Sequence, residues 1–257
     1  MFVDAHVHLN RYASTEAVLA RAGRAGVVCV GMTESPADFD AWASVLGARR
    51  GVRLALGAHP LVADRLDQDE LDRFTELAPG ATYVGEVGLD GSREGRATIA
   101  AQRRVFEHVL NATGQRRCVL SVHSRGAEVE VIDALAEAQA TAALHWYSGP
   151  LKAVDRALGA GLYFSVNTAM IGTQSGARLL RAVPHDRVVT ESDGPFATVA
   201  PRVAEPADIP ELVMRIAAAW GRDTDETAQR LWENMSQLAA GGARADAQQT
   251  LFTEAHG

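Results

Sequence analysis

Residues 2–8 read Phe2-Val3-Asp4-Ala5-His6-Val7-His8, a short apolar run that opens the chain and ends in two histidines. In extended chain, residues two apart share a face, so His6 and His8 point together. The same kind of ending recurs downstream. A run at Thr82–Glu86 delivers Glu86, one at Cys118–His123 delivers His123, and one at Ala142–Trp146 carries His145. A last run, Arg187–Glu191, passes directly into Ser192-Asp193-Gly194-Pro195. Three further runs, Val27–Gly31, Val52–Gly57 and Leu162–Val166, complete a set of eight strands.

Between the strands lie segments with helical spacing, among them Thr15–Ala25, Pro36–Arg49, Ile99–Thr113 and Gly126–Ala138. Such alternation implies a parallel sheet with right-handed crossovers, and eight strands predict a (β/α)8 barrel of TIM type, with room for distortion. A doubly wound sheet is the competing arrangement, but no GxGxxG or GxxxxGK[ST] loop follows any strand. Helices at Ile209–Trp220 and Thr224–Ala240 are expected to close the barrel, the second an extra C-terminal helix with Asp223 as N-cap and Glu226 in the capping-box position. A single barrel domain over residues 1–240 follows, with residues 241–257, which lose periodicity, as a flexible tail.

Composition agrees. The 257 residues, 47% hydrophobic and 22% charged, suit one α/β domain with an ample core. No apolar run reaches the ~20 residues of a membrane span. The N-terminus lacks the basic start and apolar middle of a signal peptide, and Cys29 and Cys118 lie in apolar runs, where buried thiols are expected rather than a disulfide. The expected location is the cytoplasm. A net charge of −7 argues against wrapping long duplex DNA, although divalent ions would reverse the field inside a pocket of carboxylates.

In a barrel, all C-terminal strand ends open on one face, where active sites are built. Four histidines and at least two carboxylates therefore converge at one mouth. Imidazole and carboxylate suit Zn²⁺, Mn²⁺ or, with more oxygen ligands, Mg²⁺. Each residue singly has a structural reading, as a rim acid or a buried hydrogen-bonding histidine; five strand ends each delivering a ligand type are hard to obtain by chance.

The motifs DAHVHLN (residues 4–10), LGAHP (56–60), VGEVGLD (84–90), Gln102, VLSVHSR (119–125), ALHWYSG (143–149), VVTESDGP (188–195) and Glu233-Asn234 occur in this order. Together they resemble the TatD family of metal-dependent deoxyribonucleases, within the amidohydrolase-like barrels, up to about Leu238. The finer details GLDGS, HWYSG, NTAMI and ESDGPF resemble the TatD-type members of Qat anti-phage defence systems, which implies further proteins of such a system as partners. The resemblance implies two divalent metal ions, Mg²⁺, Mn²⁺ or Zn²⁺. His6, His8 and Asp193 would hold one, His123 and His145 the other, and Glu86 would bridge them. Asp193 would also accept a proton from the attacking water. The implied activity is hydrolysis of DNA phosphodiester bonds, single-stranded or from an end.

The composition bears on the bridge. Of 25 basic residues one, Lys152, is lysine. Many related barrels bridge their metals with a carboxylated lysine at the end of strand four or five; Lys152 lies seven residues beyond His145, which leaves Glu86 as the bridge. Around the metals, the resemblance places His59 near the substrate phosphate. Arg125, directly after His123-Ser124, suits phosphate pairing, ahead of Arg93 and Arg96. Trp146 or Tyr147 could stack a base, with burial of at least one expected. Glu191 is a ligand or an acid behind one. His108, His185 and His256 are excluded, His185 because it precedes strand eight and should face the opposite mouth. Relatives often carry LDY and Asn-Glu-Pro where this chain has Leu89-Asp90-Gly91 and Ala204-Glu205-Pro206, both expected on the substrate side. Two other readings stand beside the nuclease: a metallohydrolase of small amides, lactones or phosphoesters, and a defence-complex subunit whose partner binding outweighs catalysis.

Overall fold

The computed structural model describes residues 1–47, 49–114 and 118–242; the expected tail therefore lies almost wholly outside the described residues. Eight parallel strands pair in chain order: β1 (Phe2–Val7), β2 (Val27–Gly31), β3 (Val52–Leu56), β4 (Tyr83–Gly88), β5 (Val119–His123), β6 (Ala142–Leu144), β7 (Tyr163–Val166) and β8 (Val188–Thr190). The two end strands meet at a seam. Ser192 N donates to Asp4 Oδ1 at 2.8 Å and Asp193 N to the His6 carbonyl at 3.0 Å; His8 N donates to the Gly194 carbonyl at 2.9 Å. The result is the expected barrel, closed by loop and side-chain bonds where β8 reaches β1.

The outer layer is α1 (Thr15–Arg24), α2 (Pro36–Leu46), α3 (Gln68–Leu77), α4 (Ile99–Thr113), α5 (Glu128–Glu137), α6 (Val154–Gly159), α7 (Thr168–Ile171), α8 (Gln174–Ala182) and α9 (Ile209–Trp220). Side chains accept from the free N–H groups at several starts: Ser14 from Ala17, Ser35 from Asp38, Asp67 from Glu70 and Thr173 from Gly176. A small hairpin, β9 (Thr198–Val199) with β10 (Arg202–Val203), follows β8. β3 and β5 to β8 are one or two residues shorter than their apolar runs, β2 matches its run, and β1 and β4 continue past His6 and Glu86 to Val7 and Gly88.

α10 (Thr224–Gly242) does something periodicity does not reveal. Val3, Val30, Ala55, Tyr83 and Val189 form an inner cluster, and Met235 and Leu238 of α10 belong to it. The helix therefore plugs the N-terminal end of the barrel, and burial of these two side chains stabilises the plug by about 1.5–3 kcal/mol each. Asn234 fixes it, its amide donating to the carbonyls of His185 and Val188 at 2.7 Å each. At the other end Asp223 caps α10, accepting from Asp225 N and Glu226 N. Cys29 and Cys118 are buried, as expected. Among the described residues no helix is long and apolar enough to cross a membrane.

Two strands carry one extra residue. Between Asp4 and Val7, β1 spends three residues where β2 spends two, and between Val84 and Val87 β4 does the same against β5. Val3, Ala5 and Tyr83 face the inner cluster, so strict alternation would send Val7 and Val87 inward; both instead pack in the outer layer. Each bulge reverses the parity of its strand. Gly88, at φ 128° beyond the second bulge, lies where a Cβ would stand 2.1 Å from the His123 carbonyl oxygen. Gly88→Ala should therefore cost at least ~2 kcal/mol in urea unfolding; a loss below ~0.5 kcal/mol would contradict the close approach.

Candidate metal centre

The parity reversals turn His6, His8 and Glu86 into the mouth, where β5, β6 and β8 deliver His123, His145 and Asp193. All but His123 are buried, and His123 nearly so. The Nε2 atoms of His6 and His8 face each other at 3.1 Å. Asp193 Oδ1 lies 3.6 Å from the first, 3.7 Å from the second and 3.8 Å from His145 Nε2. Asp193 sits at φ 47°, a conformation uncommon outside glycine and held by its bond to the His6 carbonyl.

Glu86 is the residue common to the remaining contacts, and its two oxygens face different neighbours. Oε2 lies 3.5 Å from His6, 3.2 Å from His8 and 3.2 Å from His59; Oε1 lies 2.6 Å from His123 and 4.0 Å from His145. Its backbone is held on both sides, by Glu86 N to the Thr33 carbonyl and Ala58 N to the Glu86 carbonyl.

For His145 and His6, a hydrogen bond on the far side of the ring sets which nitrogen faces inward. His145 Nδ1 meets Glu191 Oε2 at 2.8 Å, so its Nε2 is the nitrogen turned to the cluster. Glu191, fully buried, also accepts from Ser165 Oγ, Asn167 Nδ2 (3.1 Å) and Trp146 N (3.2 Å). It is therefore an acid behind a ligand candidate, resolving the alternative left open by sequence. His6 Nδ1 lies 2.7 Å from Ser121 Oγ. His59 is the opposite case: its Nδ1 accepts from Leu61 N at 3.1 Å, leaving the Nε2 proton to point at Glu86. His123 is clamped between carboxylates, Glu86 at Nδ1 and Asp90 Oδ2 at Nε2 (2.9 Å).

The electrostatics follow. Burial pulls His145 down, but the Glu191 and Asp193 carboxylates outweigh it and hold the ring up to about 10. Burial likewise opposes His123, yet Asp90 and Glu86 raise it to about 9. For His6, burial and then the neighbouring His145 charge push it down to about 3. Burial drives Asp193 well above the usual carboxylate range, and Glu191 and Glu86 add to the rise against the pull of His145. Among the described residues, no arginine or lysine pairs with Glu86, Glu191, Asp193 or Asp90; histidine is their ion-pair partner throughout. Buried acids facing imidazole nitrogens form a donor set that a divalent cation fits. Three groups bring their ligand atoms within 4.8 Å of one another: His6 with His8 and Asp193, His6 with Glu86 and His145, and His59 with Glu86 and His123. His123 and His145 thus fall in different groups that share Glu86, and their ring centroids stand 6.3 Å apart.

The TatD-related DNase family model matches residues 3–239. The chain belongs to the TatD family. It is similar to a 3'-5' ssDNA/RNA exonuclease TatD of Dickeya dadantii, at 27% identity over 90% of this chain and 94% of the relative. It is likewise similar to an uncharacterised metal-dependent hydrolase TatD of Mycobacterium tuberculosis, at 28% identity over 88% and 93%. The crystal structure of YJJV, a TatD homologue from Escherichia coli, superposes with a TM-score of 0.84 at 20% identity, covering 92% of this chain and 97% of the other. An uncharacterised amidohydrolase from Saccharomyces cerevisiae shares the barrel at a TM-score of 0.79 and 13% identity, over 92% and 99%. The protein is a metal-dependent hydrolase of TatD type.

The TatD mouth opens into a cleft of about 640 Å³ lined by the central histidines and acids together with Arg125, Arg65, Trp146 and Phe196. Of the expected substrate-side residues, His59 and Arg125 line it; Arg93 and Arg96 do not. Trp146 lines the cleft, while Tyr147 is buried against Phe164. Lys152 is exposed and away from the cleft. Asp90 lines the cleft, on the side expected of Leu89-Asp90-Gly91, but sequence reasoning missed its contact with His123, and missed Ser121, Ser165, Asn167, Arg65 and Phe196 altogether. The spacing could have found Ser121 and Ser165, which lie two residues before His123 and two after Tyr163 on inward-facing parity; the others depend on loop paths. Gln102 holds Asp90, accepting from its N–H at 2.7 Å.

One expectation is corrected. Ala204-Glu205-Pro206 does not face the substrate side. Ala204 is buried and its carbonyl accepts from the Tyr12 hydroxyl at 2.6 Å, while Glu205 takes a two-pronged ion pair from Arg21. The stretch ties α1 to the start of α9 because a buried turn there leaves these groups no path to the cleft.

Two outcomes are expected. In Glu191→Gln the amide oxygen must serve Asn167 and Trp146, so its NH₂ meets His145 Nδ1 and moves the ring proton to Nε2; divalent-ion affinity by calorimetry should fall ~10–100-fold. Second, raised folded-state values for His123 and His145 contribute stability that is full below about pH 6.5 and lost as pH rises through about 9 and 10. Chelator-treated protein should lose unfolding free energy between pH 6.5 and 9, and added Mn²⁺ should flatten the decline. A level profile without metal would contradict the clamped imidazoliums.

Proposed function

We propose that this protein hydrolyses phosphodiester bonds of DNA, acting on single strands or from an end, with two divalent ions held at the mouth. The observation that carries the reading is Glu86, whose two carboxylate oxygens face separate histidine groups. We assign His6, His8 and Asp193 to one ion and His123 and His145 to the other, with Glu86 between them. Mg²⁺, Mn²⁺ and Zn²⁺ all suit such donors. Bound there, the ions supply Lewis acidity and lower the pKa of a shared water.

The chain's own residues do the rest. Asp193, on the seam loop, accepts the proton of the attacking water. His59, whose Nε2–H points at Glu86 on the cleft wall, would donate to a phosphate oxygen once Glu86 is engaged by an ion, and the exposed guanidinium of Arg125 pairs with another. His123 would hold an ion in its neutral form, and Asp90, 2.9 Å from its Nε2, would hold the ring. Glu191 keeps His145 oriented. The nuclease names of the Dickeya relative and of the family support the substrate class. The small-amide and lactone reading is disfavoured by the exposed position of Lys152.

With labelled single-stranded DNA and Mg²⁺, Mn²⁺ or Zn²⁺, wild type should cleave, and Asp193→Asn and His123→Ala should each lose at least ~100-fold. Absence of metal-dependent cleavage, with the variants equal to wild type, would sink the reading. The ESDGPF and HWYSG details extend the proposal to Qat-type anti-phage defence, with proteins of that system as partners. Phage protection should disappear in Asp193→Asn; full protection by that variant would favour the partner-binding role over catalysis.

A further inference from the structure

The catalytic cleft is flanked by two cavities, each continuous with it through shared walls. Towards α2 and α3 a cavity of about 450 Å³ shares Glu34, Val62 and Arg65 with the cleft. Glu34, Asp38 and Glu70 line it, and its Arg11 is already ion-paired with Glu34. In the other direction a cavity of about 590 Å³ shares Trp146 and Ser148 with the cleft. It lies between the loops that follow β6 and β7. Its floor is apolar, with Leu151, Met170 and Leu179, and Arg178 is its charged group; among the described residues no carboxylate lines it.

These two neighbours treat a polyanion oppositely. A phosphate leaving the cleft towards α2 meets three carboxylates against two guanidiniums, one of them engaged. A phosphate leaving over Trp146 meets an exposed guanidinium and, among the described residues, no carboxylate in the cavity wall. Trp146 itself is held in place: its backbone, at φ 36°, is bonded from Trp146 N to the buried Glu191. An aromatic face, an apolar floor and a cation along one groove are what an unpaired base and its phosphate need.

We propose that the cavity between the β6 and β7 loops is a subsite for the nucleotide adjoining the cleaved bond, with its base against Trp146 and the Leu151–Met170–Leu179 floor and its phosphate on Arg178. The inference rests on the phosphodiesterase reading above and adds a direction to it. The strand continues on this side only, and the acidic cavity opposite keeps a further phosphate out, so the cleft receives a strand end.

The test uses full-length protein carrying Asp193→Asn, with Mn²⁺, and a fluorescein-labelled single-stranded octanucleotide followed by anisotropy. Adding Arg178→Glu or Leu151→Asp, both at exposed positions, should weaken binding about tenfold. Adding Arg178→Ala should reduce the slope of log Kd against log salt by about 0.7, one phosphate contact on a single strand. Glu70→Gln, in the acidic cavity, should not weaken binding. In the otherwise wild-type protein, Arg178→Glu should lower cleavage of the octanucleotide more than hydrolysis of bis(p-nitrophenyl) phosphate, since that diester fills only the cleft. Undiminished octanucleotide binding in both Arg178→Glu and Leu151→Asp overturns the subsite, as does an equal loss with the nitrophenyl diester. Protein that hydrolyses the nitrophenyl diester but neither binds nor cuts the oligonucleotide overturns the nuclease reading itself, and the subsite falls with it.

Discussion

One extra residue in β1 and one in β4 set everything at the mouth of this barrel. In a strand the side chain's face is decided by counting in twos, and the inner cluster begins its count at Val3 and at Tyr83. Without the bulges, Val7 and Val87 would fill the mouth, and the two histidines and the glutamate would turn outwards. With them, the barrel keeps an apolar interior below and a polar centre above, on the same eight strands. The bulges are held by neighbours rather than by their own ladder. Thr33, at the end of β2, bonds the backbone of Gly85 and Glu86 and, through its hydroxyl, reaches Ala55 and Gly57.

Putting several acids and imidazoles in one largely buried space is costly unless their charges are compensated. The protein does not use arginine for this, although arginine is abundant in the chain. Compensation comes from imidazolium on one side and hydrogen-bond donors on the other, as with Glu191 between His145, Ser165 and Asn167. Such an arrangement is responsive to protons and cations, since either can supply the missing positive charge. Arg65 and Arg125 line the cleft and Arg178 the cavity beside it, all three exposed and none ion-paired with the buried carboxylates of the mouth.

Stability and chemistry occupy opposite ends of the barrel, as is usual for this architecture. At the N-terminal end α10 drives Met235 and Leu238 into the interior, and Asn234 locks it to the entry of β8. His185 belongs there, stacked on Trp220 with ring centroids 4.0 Å apart, on the side opposite the cleft. The C-terminal end is left free of hydrophobic closure and carries the loops that shape the cleft.

Much of this was legible in the residues themselves. Alternating apolar runs and helical spacing give a barrel, and ligand-type residues at strand ends give a metal centre, because both depend on local periodicity and on which end of a parallel strand opens to the mouth. The lone lysine bears on the bridge without any coordinates. What tertiary structure alone decided is finer and nonlocal. Glu191 serves His145 across 46 positions, Asp90 reaches His123 only because Gln102 pins its loop, and Ala204-Glu205-Pro206 turns out to belong to a buried corner. Periodicity foretells α10 as a helix but not as a plug, since helical spacing does not say which surface it meets. Sequence therefore determined which side chains are available and at which end; packing decided which face each one takes, because a single inserted residue reverses a strand's alternation and leaves no mark in the pattern of apolar residues.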